Sequence, residues 1–332
     1  MKTVCLDIGT KYTRLCADGK YSVMPTVASV TVDKDADHPL LTAGSDALSL
    51  LQRVPGGTTL LQPVRCGVIA DTPSAEELLD MMFAEMGIRS PRVVAAVPCE
   101  ASDGEKQTFI DVIRAAGAVE VALIEAPVAA AVGCGFDIDG VNPIAIADLG
   151  GGICEPAVIR SLGYLSALTL RIGGQDFDLA VQRYAADSLG LDISEEDAET
   201  FRLEHISLDP ERLEDETPLT IRGNDLIFRL PNRAEADRTE LLRAVFPAVA
   251  AIGRAFDAML DGLQDEERAA VKEICLVGGL AEMEGLGDYI GEKTGLKVIR
   301  GETIDSAAPS PVVCGLREIA ELNRWRKLLE FV

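Results

Sequence analysis

The sequence has little of what builds metal and disulfide sites. Its histidines are two, His38 and His205, and its eight cysteines are scattered without a Cys-x-x-Cys pair. That excludes a zinc-ligand pattern and a disulfide framework, and reads the cysteines as buried free thiols. Positive charge is also short: 31 Lys and Arg stand against 54 Asp and Glu, a formal charge of −23. A field of that sign repels nucleic acid and a bare anionic membrane, so neither is expected as a general partner. No apolar run approaches the roughly 20 residues needed to cross a bilayer. The start, Met1-Lys2-Thr3-Val4-Cys5, does not resemble a signal peptide, and a cytoplasmic chain is expected.

What is present is apolar residues and glycine. With 48% hydrophobic content over 332 residues, the chain exceeds the size at which one core stops growing, so two lobes are expected. The run Ile144-Ala145-Ile146-Ala147 leads into Asp148-Leu149-Gly150-Gly151-Gly152-Ile153-Cys154-Glu155, which reads as a buried strand closed by a glycine hairpin. Three glycines leave backbone N–H groups open to a phosphate, and Asp148 at the strand end can hold a cation or its water. An ordinary glycine-rich hairpin fits this stretch alone equally well. The opening of the chain repeats it: residues 2–8 form an apolar strand ending at Asp7, Gly9 and Thr10 form the turn, and residues 13–17 a second strand. Two such hairpins from two lobes would face each other across a cleft, with a polyphosphate and its Mg²⁺ between Asp7 and Asp148. A third turn, Gly278-Gly279, follows a buried strand at residues 274–277 and could pass under a nucleoside base.

Between the hairpins, strands are expected at residues 92–98 and 119–125 and helices at 74–86 and 103–117, with Ser74 as the N-cap of the first. Strands alternating with helices imply parallel pairing in an α/β fold. Residues 21–67, short strands and turns around a central helical segment, and an acidic stretch at 183–231 read as small inserted modules. A solvated face explains most of that acidity, but Arg202 and Glu204 lie where they could approach a base or ribose.

With these turns located, the chain resembles the superfamily of actin, heat-shock chaperones and sugar kinases, and within it the bacterial actin family of MreB. The residues that carry the resemblance run almost end to end. They include Asp7-Ile8-Gly9-Thr10-Lys11-Tyr12-Thr13, Gln52-Arg53-Val54-Pro55, Gly67-Val68-Ile69-Ala70-Asp71, Glu125-Ala126-Pro127, Asp148 to Gly152 with Glu155, and Arg171-Ile172-Gly173-Gly174-Gln175-Asp176. The resemblance implies an actin-like fold of four subdomains around an ATP and Mg²⁺ cleft. Subdomain IA would take residues 1–30, 67–143 and 306–332, IB 31–66, IIA 144–181 and 243–305, and IIB 182–242. It implies nucleotide contacts from Asp7, Gly9, Thr10, Lys11, Thr13, Gly150, Gly151, Gly152, Arg202, Glu204, Gly278 and Gly279, metal contacts from Asp7 and Asp148, and self-association into protofilaments.

The chain departs from the family where chemistry is done. The family's water-positioning acid, just before the proline, is Ala126 here, and a one-residue shift points Glu125 to the opposite face. Ile153 and Cys154 replace two threonines after the glycines, and Leu280 replaces a third glycine at the base turn. Losing a water-positioning group costs about 10² to 10⁴ in rate. The expectation is an ATP-binding, filament-forming actin that hydrolyses slowly, with Asp148 as its remaining catalytic candidate. The alternative is a monomeric regulatory or pseudo-ATPase partner protein of the same superfamily. Residues 324–332 hold the only Trp and a cluster of basic residues. They read either as a lipid-interface tail, which would associate the protein with a membrane, or as a final segment packed on the first lobe.

Overall fold

The computed structural model describes residues 2–31, 40–53, 58–213 and 217–332. Val54 and Pro55 of the second motif, and Glu214, Asp215 and Glu216 of the acidic run, lie outside the described residues.

Two five-stranded sheets form the framework, and they have one plan. In the first, Thr3–Ile8, Tyr12–Ala17 and Lys20–Pro25 make an antiparallel meander, while Arg92–Val97 and then Glu120–Glu125 add in parallel on the other side of Thr3–Ile8. In the second, Ile144–Leu149, Cys154–Arg160 and Gly163–Ala167 form the meander, and Glu273–Val277 and Lys297–Arg300 the parallel pair. The central strands are apolar on both faces, as strands covered on both sides must be. Each is covered on its outer face by a core of its own, around Leu78, Leu79, Met82, Phe109 and Ile113 in the first lobe and Phe177, Val249, Phe256 and Met259 in the second.

A third core joins the lobes. Its axis is a pair of helices, Ala126–Gly133 and Pro311–Glu321, that cross at glycines. A Cβ on Gly133 would collide with the Pro311 carbonyl, and one on Gly315 with the Ala129 carbonyl. Only bare backbone allows so close a crossing. The alanine-rich helix Ala126–Gly133 is buried along its whole length, so it works as a rod through the middle of the molecule.

The inserted modules are small sheets. Ala28–Thr31 pairs with Leu40–Ala43 and Thr58–Leu61 beside helix Gly44–Arg53. Leu219–Asp225 pairs with Leu191–Asp192 and Pro231–Ala236 beside helix Glu195–His205.

Ser74 is not a cap. The helix is Thr72–Glu85, and Asp71 caps it by accepting from the Ser74 backbone N–H at 3.1 Å. Pro73 settles the earlier start, since it fits the first turn where its missing N–H costs nothing. Helix Asp103–Ala115 begins with a capping box of Ser102 and Glu105. At the C-terminus Trp325 is buried, Arg92 stacks on Phe331 at 4.5 Å, and Val332 exchanges both backbone hydrogen bonds with Val121 at the edge of the first sheet. The tail is thus packed on the first lobe, and a lipid-interface role for residues 324–332 would require Trp325 to leave the core. Among the described residues, no helix is long and apolar enough to cross a membrane.

Candidate functional site

The two meander hairpins meet between the lobes. Both turns close in the same way, Gly9 N–H donating to Tyr12 O at 3.2 Å and Gly150 N–H to Ile153 O at 2.8 Å. Around them lies a cavity of about 300 Å³ lined by Asp7, Gly9, Thr10, Lys11, Arg14, Asp148, Gly150, Gly151, Gly152, Glu155, Arg202, Gly278 and Gly279, among others. The first residues of three helices open onto it: Ala126, Gly174, and Pro311 with its cap Ser310. Helix N-termini present backbone N–H groups and the positive end of the dipole, a setting for anions. At Ala126–Gly133 no side chain caps those groups.

The glycines of the second hairpin have a reason that composition alone hides. A Cβ on Gly151 would lie 2.6 Å from Lys11 Cγ, and one on Gly152 would collide with Thr10 Oγ1. The first hairpin therefore rests in the hollow of the second. Thr10 Oγ1 in turn accepts from Gly67 N–H at 3.2 Å, and Ile153 packs where a Cβ on Gly67 would stand. At the third turn Gly278 has φ +91°, and a Cβ there would collide with Leu149 O; Gly279 alone faces open space. Leu280 is buried in the second lobe's core as well as touching the cavity.

Charge at the cleft floor is arranged in cross-strand pairs. Asp7 stands opposite Arg14 in register, and Asp148 stands opposite Glu155. Arg14 Nη1 donates to Asp7 Oδ2 at 3.1 Å. Desolvation raises the Asp7 pKa, with Arg14 pulling the other way. Asp148 is pushed up to about 6 by desolvation and by the Asp7 charge. Glu155 is 1% exposed, accepts from Cys99 N–H at 2.7 Å and from Thr169 Oγ1 at 2.8 Å, and is pushed up to about 7 by burial.

The two residues expected at the metal, Asp7 and Asp148, differ in their surroundings. Asp7 is already paired with a guanidinium, and among the described residues no group of three His, Cys, Asp or Glu side chains could hold a metal ion. The residues present do not fit a cation seated between two free aspartates. Arg14 belongs to no motif of the sequence, but its spacing marks it, since it follows Asp7 by the same interval as Glu155 follows Asp148.

Other expected residues lie elsewhere. Thr13 is fully buried with its hydroxyl 2.9 Å from that of Thr26, on the opposite face of its strand from Arg14. Glu125 does not line the cavity and sits 3.8 Å from Lys106 Nζ. Arg202 does line it, but its Nε donates to Asp178 Oδ1 at 2.6 Å. Glu204 instead borders a neighbouring cavity of about 390 Å³, which also touches Arg202, Arg212, Glu282 and Glu284. Lys11 reaches across the cleft to Glu199 at 2.9 Å and Glu195 at 3.2 Å. Burial works against its charge, but Glu199, Glu195 and Asp178 outweigh it and hold the pKa above the ordinary lysine value.

Residues 1–325 match the family described as MreB/Mbl protein. The cell shape-determining protein MreB of Escherichia coli K12 is 30% identical over 322 residues, 94% of this chain and 90% of that protein. The cell shape-determining protein Mbl of Bacillus subtilis 168 is 25% identical over 307 residues, 91% of each. The structure of MreB 5 of Spiroplasma citri bound to AMPPNP superposes with a TM-score of 0.85 over 98% of each chain, at 22% identity. A MamK double helical filament gives 0.78 over 97% of this chain and 99% of that one, at 19% identity. These structures establish the fold, and it is the α/β, actin-like one that the sequence leads one to expect.

Proposed function

This chain belongs to the MreB/Mbl family, and from that premise we propose that it binds ATP between its lobes, assembles into filaments and hydrolyses the nucleotide slowly. The observation that carries the reading is the convergence of two like hairpins and three helix N-termini on one cavity between the lobes. The phosphates would lie there, and the neighbouring cavity beside Arg202 and Glu204 would take the nucleoside. The likeness to a structure bound to AMPPNP supports a nucleotide, and the likeness to a double helical filament supports assembly. An exposed apolar turn, with Ile227 83%, Phe228 73% and Leu230 64% exposed, supports a contact with a second copy. The four-subdomain division given above belongs to the same proposal, and each part holds one of the larger sheets or most of one of the small ones.

Slow hydrolysis rests on Ala126, which stands at an uncapped helix N-terminus on the cavity wall where the family resemblance implies a carboxylate. Pelleting with and without ATP, followed by electron microscopy, tests assembly; no polymer in either condition removes the filament. Phosphate release tests the chemistry. Ala126→Glu is expected to raise it by about 10², and wild-type release as fast as in that variant removes the claim of slowness.

One observation favours the nucleotide-free alternative: Gly151 and Gly152 are already covered by Lys11 and Thr10. No thermal shift with ATP would select it.

A further inference from the structure

Arg14 projects from the second strand of the first hairpin onto the cleft face, directly opposite Asp7. Opposite residues in an antiparallel pair share a face and sit about 5 Å apart. In the second hairpin the equivalent seat, opposite Asp148, holds Glu155. The first lobe thus puts a permanent cation where the second puts a carboxyl. Its Nη1 lies 3.1 Å from Asp7 Oδ2 and 3.5 Å from Tyr12 O, and no partner among the described residues engages Nη2 or Nε. Those remaining N–H groups belong to a cavity-lining side chain.

Resting on the nucleotide reading above, we propose that Arg14 is a phosphate-binding residue that supplies the positive charge a divalent cation would otherwise bring, so that the cleft takes a nucleoside triphosphate without metal. A guanidinium is charged at every relevant pH and offers a planar fork that matches two phosphate oxygens. Mg²⁺ is held in such sites by one or two carboxylates together with substrate phosphates. Here Asp7 is neutralised by its partner, and a second cation brought beside Arg14 would be repelled by it. The remaining aspartate, Asp148, stands opposite another carboxyl, Glu155, and has no ion pair among the described residues. It would offer a metal a single carboxylate, whereas the Arg14 fork is already held in position by Asp7.

Calorimetric titration of the full chain with ATP, in excess Mg²⁺ and in EDTA, tests this. The wild-type Kd is expected to differ by less than threefold between the two conditions. Arg14→Leu is expected to weaken binding in EDTA by tenfold or more, with excess Mg²⁺ restoring part of it. Arg14→Lys keeps the charge without the fork and should bind between the two; it also serves as the folded control, checked by circular dichroism, should the leucine variant fail to fold. A wild-type difference of threefold or more, or EDTA binding by the best-folded variant equal to wild type, overturns the proposal while leaving the nucleotide site intact. Absence of binding in both conditions overturns the nucleotide reading and this inference together.

Discussion

The two hairpins of the cleft share a backbone and differ in almost every side chain. Asp7 to Arg14 and Asp148 to Glu155 have the same length, the same turn hydrogen bond and the same register. The first carries Thr10, Lys11 and Tyr12 in its turn; the second carries glycines at the two places the first hairpin touches. They are a knob and its hole rather than two copies of one phosphate turn. The chain path is the same in both, and the side chains differ so that one hairpin seats in the other. The charges diverged too, a guanidinium opposite one aspartate and a carboxyl opposite the other.

Filling the hole should have the largest effect. Gly152→Val drives a branched side chain into Thr10 Oγ1, and overpacking of this kind costs typically 1–3 kcal/mol, occasionally more; a loss of about 3 kcal/mol is expected in urea unfolding. Because the collision is with one side chain, Thr10→Ala in the same protein should recover part of the loss, a coupling that a double-mutant cycle measures. Equal losses in the single and double variants would mean that the two hairpins do not seat as described.

The charge difference makes a second test. Burial raises the folded pKa of Glu155 from 4.5 to about 7. A carboxyl raised in this way favours folding most fully below pH 4.5, and that contribution is lost as the pH rises through about 7. Glu155→Gln, which cannot ionise, should therefore gain on the wild type between pH 4.5 and 7 and hold the gain above. At about 1.36 kcal/mol per unit, the gain is on the order of 3 kcal/mol. A stability difference that does not change across that window would show that Glu155 stays charged.

Much of this molecule was legible in the chain. Apolar runs closed by Asp and Gly marked the hairpins, their repetition marked the two lobes, and strand and helix alternation marked the parallel pairs. The legible features are periodic or local. What escaped depends on the face to which a side chain is turned and on what lies across the cleft. Thr13 reads as a second hydroxyl for phosphate, but period-two alternation buries it with Thr26 and gives the cleft face to Arg14. Ser74 and Asp71 are both good caps by type, and only the proline between them decides. The glycines read as an opening for ligand because their true neighbours, Thr10 and Lys11, are some 140 residues away.

Lys11 gives the smallest and most discriminating test of the comparison. As part of the knob it belongs, by sequence, to the phosphate contacts; in the structure it is spent on Glu199 and Glu195 of the opposite lobe. The pairs are partly exposed, so Lys11→Ala should change unfolding free energy by less than about 1 kcal/mol. Its kinetic effect separates the two roles. A latch that ties the lobes together slows entry to the cleft, so its removal should speed association of a fluorescent ATP analogue in stopped flow, and added salt should speed the wild type toward the variant by screening the latch. A phosphate ligand does the opposite: its removal slows capture and weakens affinity. Faster association in the variant would assign Lys11 to holding the lobes, leaving Arg14 as the first hairpin's cation for the nucleotide.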